Sequence, residues 1–450
     1  MALIRFPPGP KPGLFRNAET HLQRDPLGFL TELARDYGDI VHFRLGRQHA
    51  FLLNHPDHIK DVLVTSETNF APARTSTTRA LLGDGLLNSE GAFHRRQRAL
   101  SQPAFHRRRI ASYADVMVQH ATRLRDRWQE GETVDLSREM MQVTLGIAGK
   151  TLFDAEMESD AEEVGDALRQ VRVLFARPVL RHVRKLRALP FLPAARRFQR
   201  ALTRLDAIIY RIIADRRRSG VDRGDLISML LLAQEDGAAM TDVQVRDEVM
   251  TLLLAGHDTT ANALAWTWYL LSQSPAVEAK LHAELDAVLG DRPATFEDFG
   301  RLVYTEMILA EALRLYPPGW RISRRVIADH ALGGYTLPAG SLVFLSQYVT
   351  HRDARYYPDP SRFDPERWTA PAREARPPFA YFPFSGGTRR CLGEQFARMS
   401  GVLLLATLAG QWKLRLVPGA RIEADPLFTL RPKFGMPMTR QRRRTPPVSA

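Results

Sequence analysis

A single cysteine, Cys391, stands in 450 residues. An intramolecular disulfide is thereby excluded, and the chain suits a reducing compartment, so a cytoplasmic location is expected. Long apolar runs are scarce as well. The opening Met1-Ala2-Leu3-Ile4-Arg5-Phe6 is too short for a signal peptide or a span, and a proline-rich stretch from Pro7 to Pro12 follows at once. Val249 to Leu271 is longer but carries His257 and Asp258 near its middle, a costly placement in lipid. It reads as a buried helix, and no membrane span is expected. Repeats, low-complexity tracts and Gly/Ser linkers are also missing. Zinc-finger spacing, basic heptads and aromatic RNA motifs are absent too, so nucleic acid is not an expected partner. Acidic residues are in deficit: 63 Lys and Arg face 50 Asp and Glu, for a net charge of +13.

What is present is an ordinary globular composition, 44% hydrophobic, able to bury a large core and a sizeable cofactor. Helical periodicity covers Pro26 to Tyr37 and Pro56 to Thr65. It then dominates from about Ser89 to Leu289, as in Ile110 to Gln129, Ser159 to Phe175 and Ala194 to Arg218. Phe299 to Leu315 is one more helix, closed by Tyr316-Pro317-Pro318. Strands are expected at Asp39 to Leu45 and Ala50 to Asn54, and again between Tyr335 and Gln347 around Pro338-Ala339-Gly340. Tyr356 to Pro383 reads as a long irregular loop, a feature usually kept for function. A last long helix runs from about Leu392 to Leu408, with short strands after it. The fold class is mainly α with a small β lobe, in one domain over 1–450. The lobe is built mainly from 39–54, 335–347 and the C-terminal strands. Arginines cluster at 95–98, 107–109, 181–200, 216–218 and 442–444. Such a surface suits an acidic partner or is simply solvated.

The chemistry starts at Phe384-Ser385-Gly386-Gly387-Thr388-Arg389-Arg390-Cys391-Leu392-Gly393. Glycines let a backbone approach something flat or bulky. Cys391 falls where a helix begins, beside two arginines, and both influences favour the thiolate. No His or Asn nearby suggests a nucleophile's triad, so a metal ligand is the better reading. Zinc would need further Cys or His at close spacing. One sulfur suffices if a porphyrin supplies the four in-plane ligands.

This stretch resembles the Phe-x-x-Gly-x-Arg-x-Cys-x-Gly signature of cytochromes P450 at every fixed position, and three other family motifs occur in the proper order along the chain. The resemblance, to soluble bacterial members, implies the cytochrome P450 fold, a triangular prism with a long central helix over the haem. It implies Cys391 as the iron ligand of haem b. In Ala255-Gly256-His257-Asp258-Thr259-Thr260, an acid and an alcohol sit mid-helix beside a glycine that leaves room for a ligand. By resemblance Asp258 and Thr259 manage proton delivery during dioxygen activation, with Ala255 and Gly256 against the haem. Glu311 and Arg314, at i and i+3 on one helix face, resemble the family's Glu-x-x-Arg helix. With Arg367 they would form a buried ionic triad that fixes the cysteine loop. His94 and Arg98, at i and i+4, suit a carboxylate. By resemblance they bind a haem propionate, with Arg324 and Arg389 as further partners and with Arg321 and Arg325 close to the former. Phe384 and Gly393 complete the haem contacts. One departure is Ser400, where the family often carries Glu.

A lipophilic substrate pocket is expected from family topology along Ala71 to Leu87, Phe175 to Leu192 and Gly319 to Ile322. Leu253, Ala255, Trp320, Ile322 and Phe428 are its named residues. The resemblance points to fatty acids or terpenoids, oxidised by one atom of dioxygen in a hydroxylation or epoxidation. No flavin or iron–sulfur domain is present, so a separate ferredoxin or flavodoxin and its reductase would carry electrons from NAD(P)H. A monomer is expected. A peroxide-driven peroxygenase, an isomerase and a non-enzymatic haem carrier or gas sensor are the rival readings. The intact Asp258-Thr259 pair argues against them.

Overall fold

Ile40, Val41 and Phe43 are buried apolar residues, and apolar residues crowd together in Ala50-Phe51-Leu52-Leu53. The two segments pair as an antiparallel hairpin, Ile40–Leu45 against Gln48–Leu53. The computed structural model describes residues 5–10, 15–73, 76–155, 167, 193–223, 225–232, 234–235 and 238–443. The chain divides into two units, residues 1–74 with 311–391 and residues 75–310 with 392–450.

In the first unit the hairpin joins a five-stranded sheet. Its order is Ile40–Leu45, Gln48–Leu53, Leu342–Leu345, Ile322–Val326, Phe70–Pro72. Only Leu342–Leu345 against Gln48–Leu53 is parallel. Phe51, Leu53, Ile59, Val62, Val343, Leu345 and Phe382 are buried together in one cluster. Each such side chain contributes roughly 1.5–3 kcal/mol on leaving water. Pro26–Tyr37 is helical over the expected bounds because Asp25 caps it, accepting from Gly28 N at 2.9 Å, and Pro26 opens its first turn. Pro56 to Thr65, expected as one helix, splits into an α-helix Pro56–Lys60 and a π turn Asp61–Thr65. Residues 356–383 are irregular apart from a 3₁₀ turn Pro365–Trp368 and a short helix Ala370–Glu374.

The second unit is mostly helical. Its axis is Asp242–Ser272, 31 residues long and longer than the apolar run implies. Thr241 and Gln244 form a reciprocal capping box that starts it. Leu136–Phe153 packs alongside, where Thr144 Oγ1 donates to His257 O at 3.1 Å. Leu145, Leu152, Ile209, Val245, Val249 and Leu253 share the core between these helices and Pro193–Ser219. The C-terminal strands Trp412–Leu416 and Pro437–Arg442 belong to this unit and pair with each other, and Pro437–Arg442 pairs on its other side with Thr133–Asp135. The helix expected at Ser159 to Phe175 and the pocket segment Phe175 to Leu192 lie outside the described residues, Ala167 excepted. Among the described residues no helix is long and apolar enough to cross a membrane.

Candidate functional site

The cysteine loop of the first unit is held by backbone geometry that few residues tolerate. Cys391 N donates to Phe384 O at 2.9 Å, closing the loop on itself. Gly387 takes φ +65°, and a Cβ there would lie 1.9 Å from Leu63 O in the π turn. A Cβ at Gly386 would lie 2.5 Å from the Phe379 ring. Glu67 secures the tip, its Oε2 accepting from Thr388 N at 2.9 Å and from Thr388 Oγ1 at 3.0 Å. Cys391 itself is exposed. The helix after it begins at Glu394, not at Leu392, with Gly393 as its N-cap. The thiol thus precedes the first helical turn by three residues.

Behind the loop sits a buried ionic cluster. Glu311 and Arg314 are fully buried. Arg314 Nε and Nη2 each donate to the Glu311 carboxylate at 2.8 Å. The remaining Arg314 donors reach His351 O at 2.8 Å, Pro360 O at 2.7 Å and Arg362 O at 3.0 Å. All five guanidinium hydrogens are therefore used. Glu311 also accepts from Asp364 N at 3.0 Å and Trp368 Nε1 at 2.9 Å. Arg367 completes the group with Nε 3.4 Å from Glu311 Oε1 and Nη2 donating to Asp359 O. His351 carries the cluster forward to the loop, its Nε2 accepting from Phe382 N at 3.0 Å. Burial first, and then the neighbouring Arg314 charge, push His351 well below the usual histidine range, so the ring is neutral.

Of the three neighbouring arginines, Arg324 feels the charge of Arg389. Burial and then the Arg389 charge lower its guanidinium to about 10, with Glu67 opposing them. Arg321 lies over the Trp320 and Phe344 rings, and Arg325 is exposed. Two guanidiniums against one carboxylate make a place suited to an anionic group. Trp320 is buried and Ile322 half-buried nearby in sequence.

In the second unit, the central helix is buried from Val245 to Trp268 except at Ala255, Gly256 and Thr259. Their i, i+1, i+4 spacing makes one partly exposed strip. Thr259 Oγ1 donates back to Ala255 O at 2.6 Å, the bond that a mid-helix threonine makes when it bends a helix. Leu253 is packed in the core and does not share the strip. Asp258 is buried and takes a different partner, its Oδ2 accepting from Thr429 Oγ1 at 2.5 Å. Asn262 Nδ2 braces both by donating to Asp258 O and Thr429 Oγ1. Phe428 is half-buried beside Thr429. On Gly91–Ser101, His94 is buried and Arg98 partly exposed, one turn apart.

A family model described as Cytochrome P450 matches residues 7–438. The chain belongs to the cytochrome P450 family. It is 41% identical over 415 residues to cyclooctatin synthase of Streptomyces melanosporofaciens, covering 91% of this chain and 90% of the relative. From the same organism, cyclooctat-9-en-7-ol 5-monooxygenase is 39% identical, with 89% and 88% covered. Pentalenene oxygenase of Streptomyces avermitilis is 34% identical, with 91% of each covered. A retinoic acid bound cyanobacterial structure superposes with a TM-score of 0.87 at 27% identity, covering 98% of this chain and 100% of that one. This P450 is a monooxygenase with the family's fold, and the family's cofactor is haem.

The residues fit that cofactor. Among the described residues no cluster of three or more His, Cys, Asp or Glu gathers as a cation site, and a single thiol is sufficient for an iron whose four in-plane ligands come from a porphyrin. Glycine-only backbone at Gly387 brings the thiol loop into place, and paired guanidiniums suit carboxylates. Glu67, His351 and Thr429 are the residues of this P450 that sequence reasoning missed. None belongs to a motif, although Thr429 adjoins Phe428.

Proposed function

We propose that this P450 inserts one atom of dioxygen into a lipophilic, cyclic terpenoid-like substrate by hydroxylation or epoxidation, with Cys391 as the haem ligand. The observation that carries the reading is the lone exposed thiol on a loop pinned from both sides, by Glu67 at its tip and by the Glu311–Arg314–His351 cluster behind it. The bound haem supplies dioxygen activation, one atom going to substrate and the other, with two electrons and two protons, to water. The chain's residues do the rest. His94, Arg98, Arg324 and Arg389 hold the propionates, and Phe384 and Gly393 pack against the ring. Arg367 with Glu311 and Arg314 keeps the loop in place. Thr259, on the strip with Ala255 and Gly256, has its proton turned to Ala255 O and its lone pairs available to accept. Asp258, steadied by Thr429, supplies protons as the acid of the pair. Trp320, Ile322 and Phe428 are the residues proposed for the apolar substrate space, while Leu253 is packed in the core of the second unit.

The terpenoid class follows from the names of the relatives. A separate ferredoxin or flavodoxin with its reductase brings electrons from NAD(P)H, and the enzyme works as a cytoplasmic monomer. The deciding measurement is the absorption spectrum of the reduced, carbon-monoxide-bound protein. A strongly red-shifted Soret band is expected in the wild type and is lost in Cys391→His. A wild-type band at the position typical of histidine ligation overturns the assignment. Feeding ferredoxin, reductase and cyclic terpenes against fatty acids, with products weighed for one added oxygen atom, tests the substrate class.

A further inference from the structure

Three consecutive charged side chains of the central helix, Arg246, Asp247 and Glu248, reach the same short stretch of backbone. Arg246 Nη1 donates to Leu81 O at 3.0 Å, Asp247 Oδ2 accepts from Asp84 N at 2.9 Å, and Glu248 Oε2 accepts from Leu86 N at 3.1 Å. The approach is so close that two glycines are needed. A Cβ on Gly83, at φ +53°, would lie 1.9 Å from Asp247 Oδ2, and one on Gly85 would lie 2.3 Å from Thr251 Oγ1. Asn88 Nδ2 ties the loop internally to Thr78 O and Gly83 O. The stretch leads directly into Gly91–Ser101, which carries His94 and Arg98.

We propose that Arg246, Asp247 and Glu248 are positioning residues that clasp the 81–86 loop to the central helix, and that Glu248 is the proton-dependent arm through which the loop opens and closes. What the loop then orders, the helix of His94 and Arg98, rests on the monooxygenase reading; the clasp itself does not.

The three arms differ in charge compensation. Arg246 is neutralised by Asp206 of Pro193–Ser219, at 2.7 Å from Nε, and by Asp247. Asp247 has Arg246, and the loop's Asp84 turns to Arg79. Among the described residues Glu248 has no such cation. It is fully buried, and among the described residues its Oε1 has no partner and Thr251 Oγ1, one turn along, has none either. The charge that acts on it is Asp247, of like sign. Burial, with that charge behind it, raises the Glu248 carboxyl to about 8. Closed, the loop therefore covers a neutral acid. When the loop lifts, water reaches the carboxyl, it returns to the ordinary carboxylate range, and its proton leaves. Opening is thus coupled to the loss of one proton. Linkage gives the sign: the opening constant rises about tenfold per pH unit between the ordinary range and 8, and is level above 8.

Hydrogen–deuterium exchange of peptides spanning 81–89, on the haem-loaded protein and corrected for the intrinsic rate, reads the clasp directly. From pH 6 to pH 8 the wild-type opening constant is expected to rise up to about a hundredfold. Glu248→Gln keeps a carbonyl acceptor and cannot ionise, so its profile should be flat. Glu248→Leu, which leaves Leu86 N without an acceptor, should exchange fast at every pH. A pH dependence shared by the wild type and Glu248→Gln overturns the proposal, as does wild-type protection in Glu248→Leu at pH 7. Because exchange needs no turnover, failure of the clasp is distinct from failure of the Cys391 assignment, which the carbon monoxide spectrum reports.

Discussion

His351 shows how much one side chain settles. It accepts Phe382 N while its own carbonyl takes a guanidinium hydrogen from Arg314, so it links the buried ion pair to the cysteine loop. Its pKa is held well below 6.5 in the fold, whereas the unfolded chain protonates near 6.5. As pH falls below 6.5 the unfolded state gains a proton that the folded state refuses. Stability therefore falls with acidification, by about 1.4 kcal/mol per pH unit from this residue alone. Urea unfolding at pH 7, 6 and 5 should show that slope in the wild type and a slope one proton shallower in His351→Asn. Nothing in the sequence singles out His351. Cys391, Glu311 and Arg314 were legible because their chemistry is written in local spacing. Thr429 and Glu67 were not, because Asp258 lies 171 residues from the one and Thr388 lies 321 from the other.

Among elements, the cysteine loop is the least forgiving. The positive φ of Gly387 and its approach to the π turn mean that Gly387→Ala strains the backbone and presses a methyl on Leu63 O. Conformational strain of this kind costs about 1–3 kcal/mol, before the clash is counted. The purified Gly387→Ala protein is expected to show a lower ratio of Soret to protein absorbance than the wild type, with its far-ultraviolet circular dichroism unchanged. Periodicity found the helices well where caps are local, as at Asp25 and Pro26. It failed at Asp61–Thr65, where the extra residue of a π turn leaves the apolar pattern intact while shifting the hydrogen bonds. It also placed the start of the last helix too early, because Leu392 and Gly393 continue an apolar pattern but stay outside the helical turn. Thr241 and Gln244 carried a readable start signal for the central helix that an apolar-run reading passes over.

At the scale of the whole molecule, a net charge of +13 gives a field that would favour docking of the proposed electron donor if that donor is acidic. Turnover with an acidic ferredoxin should weaken as sodium chloride is raised from 50 to 300 mM, chiefly through the apparent KM for the donor, since the Debye length shrinks through about 10 Å over that range. Salt-independent turnover would leave the charge without a docking role. Composition and motif order made the fold class legible, whereas the division into units was not. In the second unit Pro437–Arg442 pairs with Trp412–Leu416 on one side and Thr133–Asp135 on the other, a partnership that no local pattern announces.

The sheet of the first unit has a consequence for synthesis on the ribosome. Its parallel strand Leu342–Leu345 sits between Gln48–Leu53 and Ile322–Val326, and Gln48 meets Gly340 across 292 residues of chain. At about 5–20 residues per second, the early hairpin emerges with one edge open and waits roughly 15–60 s for the strand that covers it. Throughout that interval the nascent chain displays an unpaired β edge made of Ala50-Phe51-Leu52-Leu53, which is a template for chaperones or for neighbouring chains. Slower translation and added chaperone are therefore expected to change the yield of folded protein, as read by soluble expression.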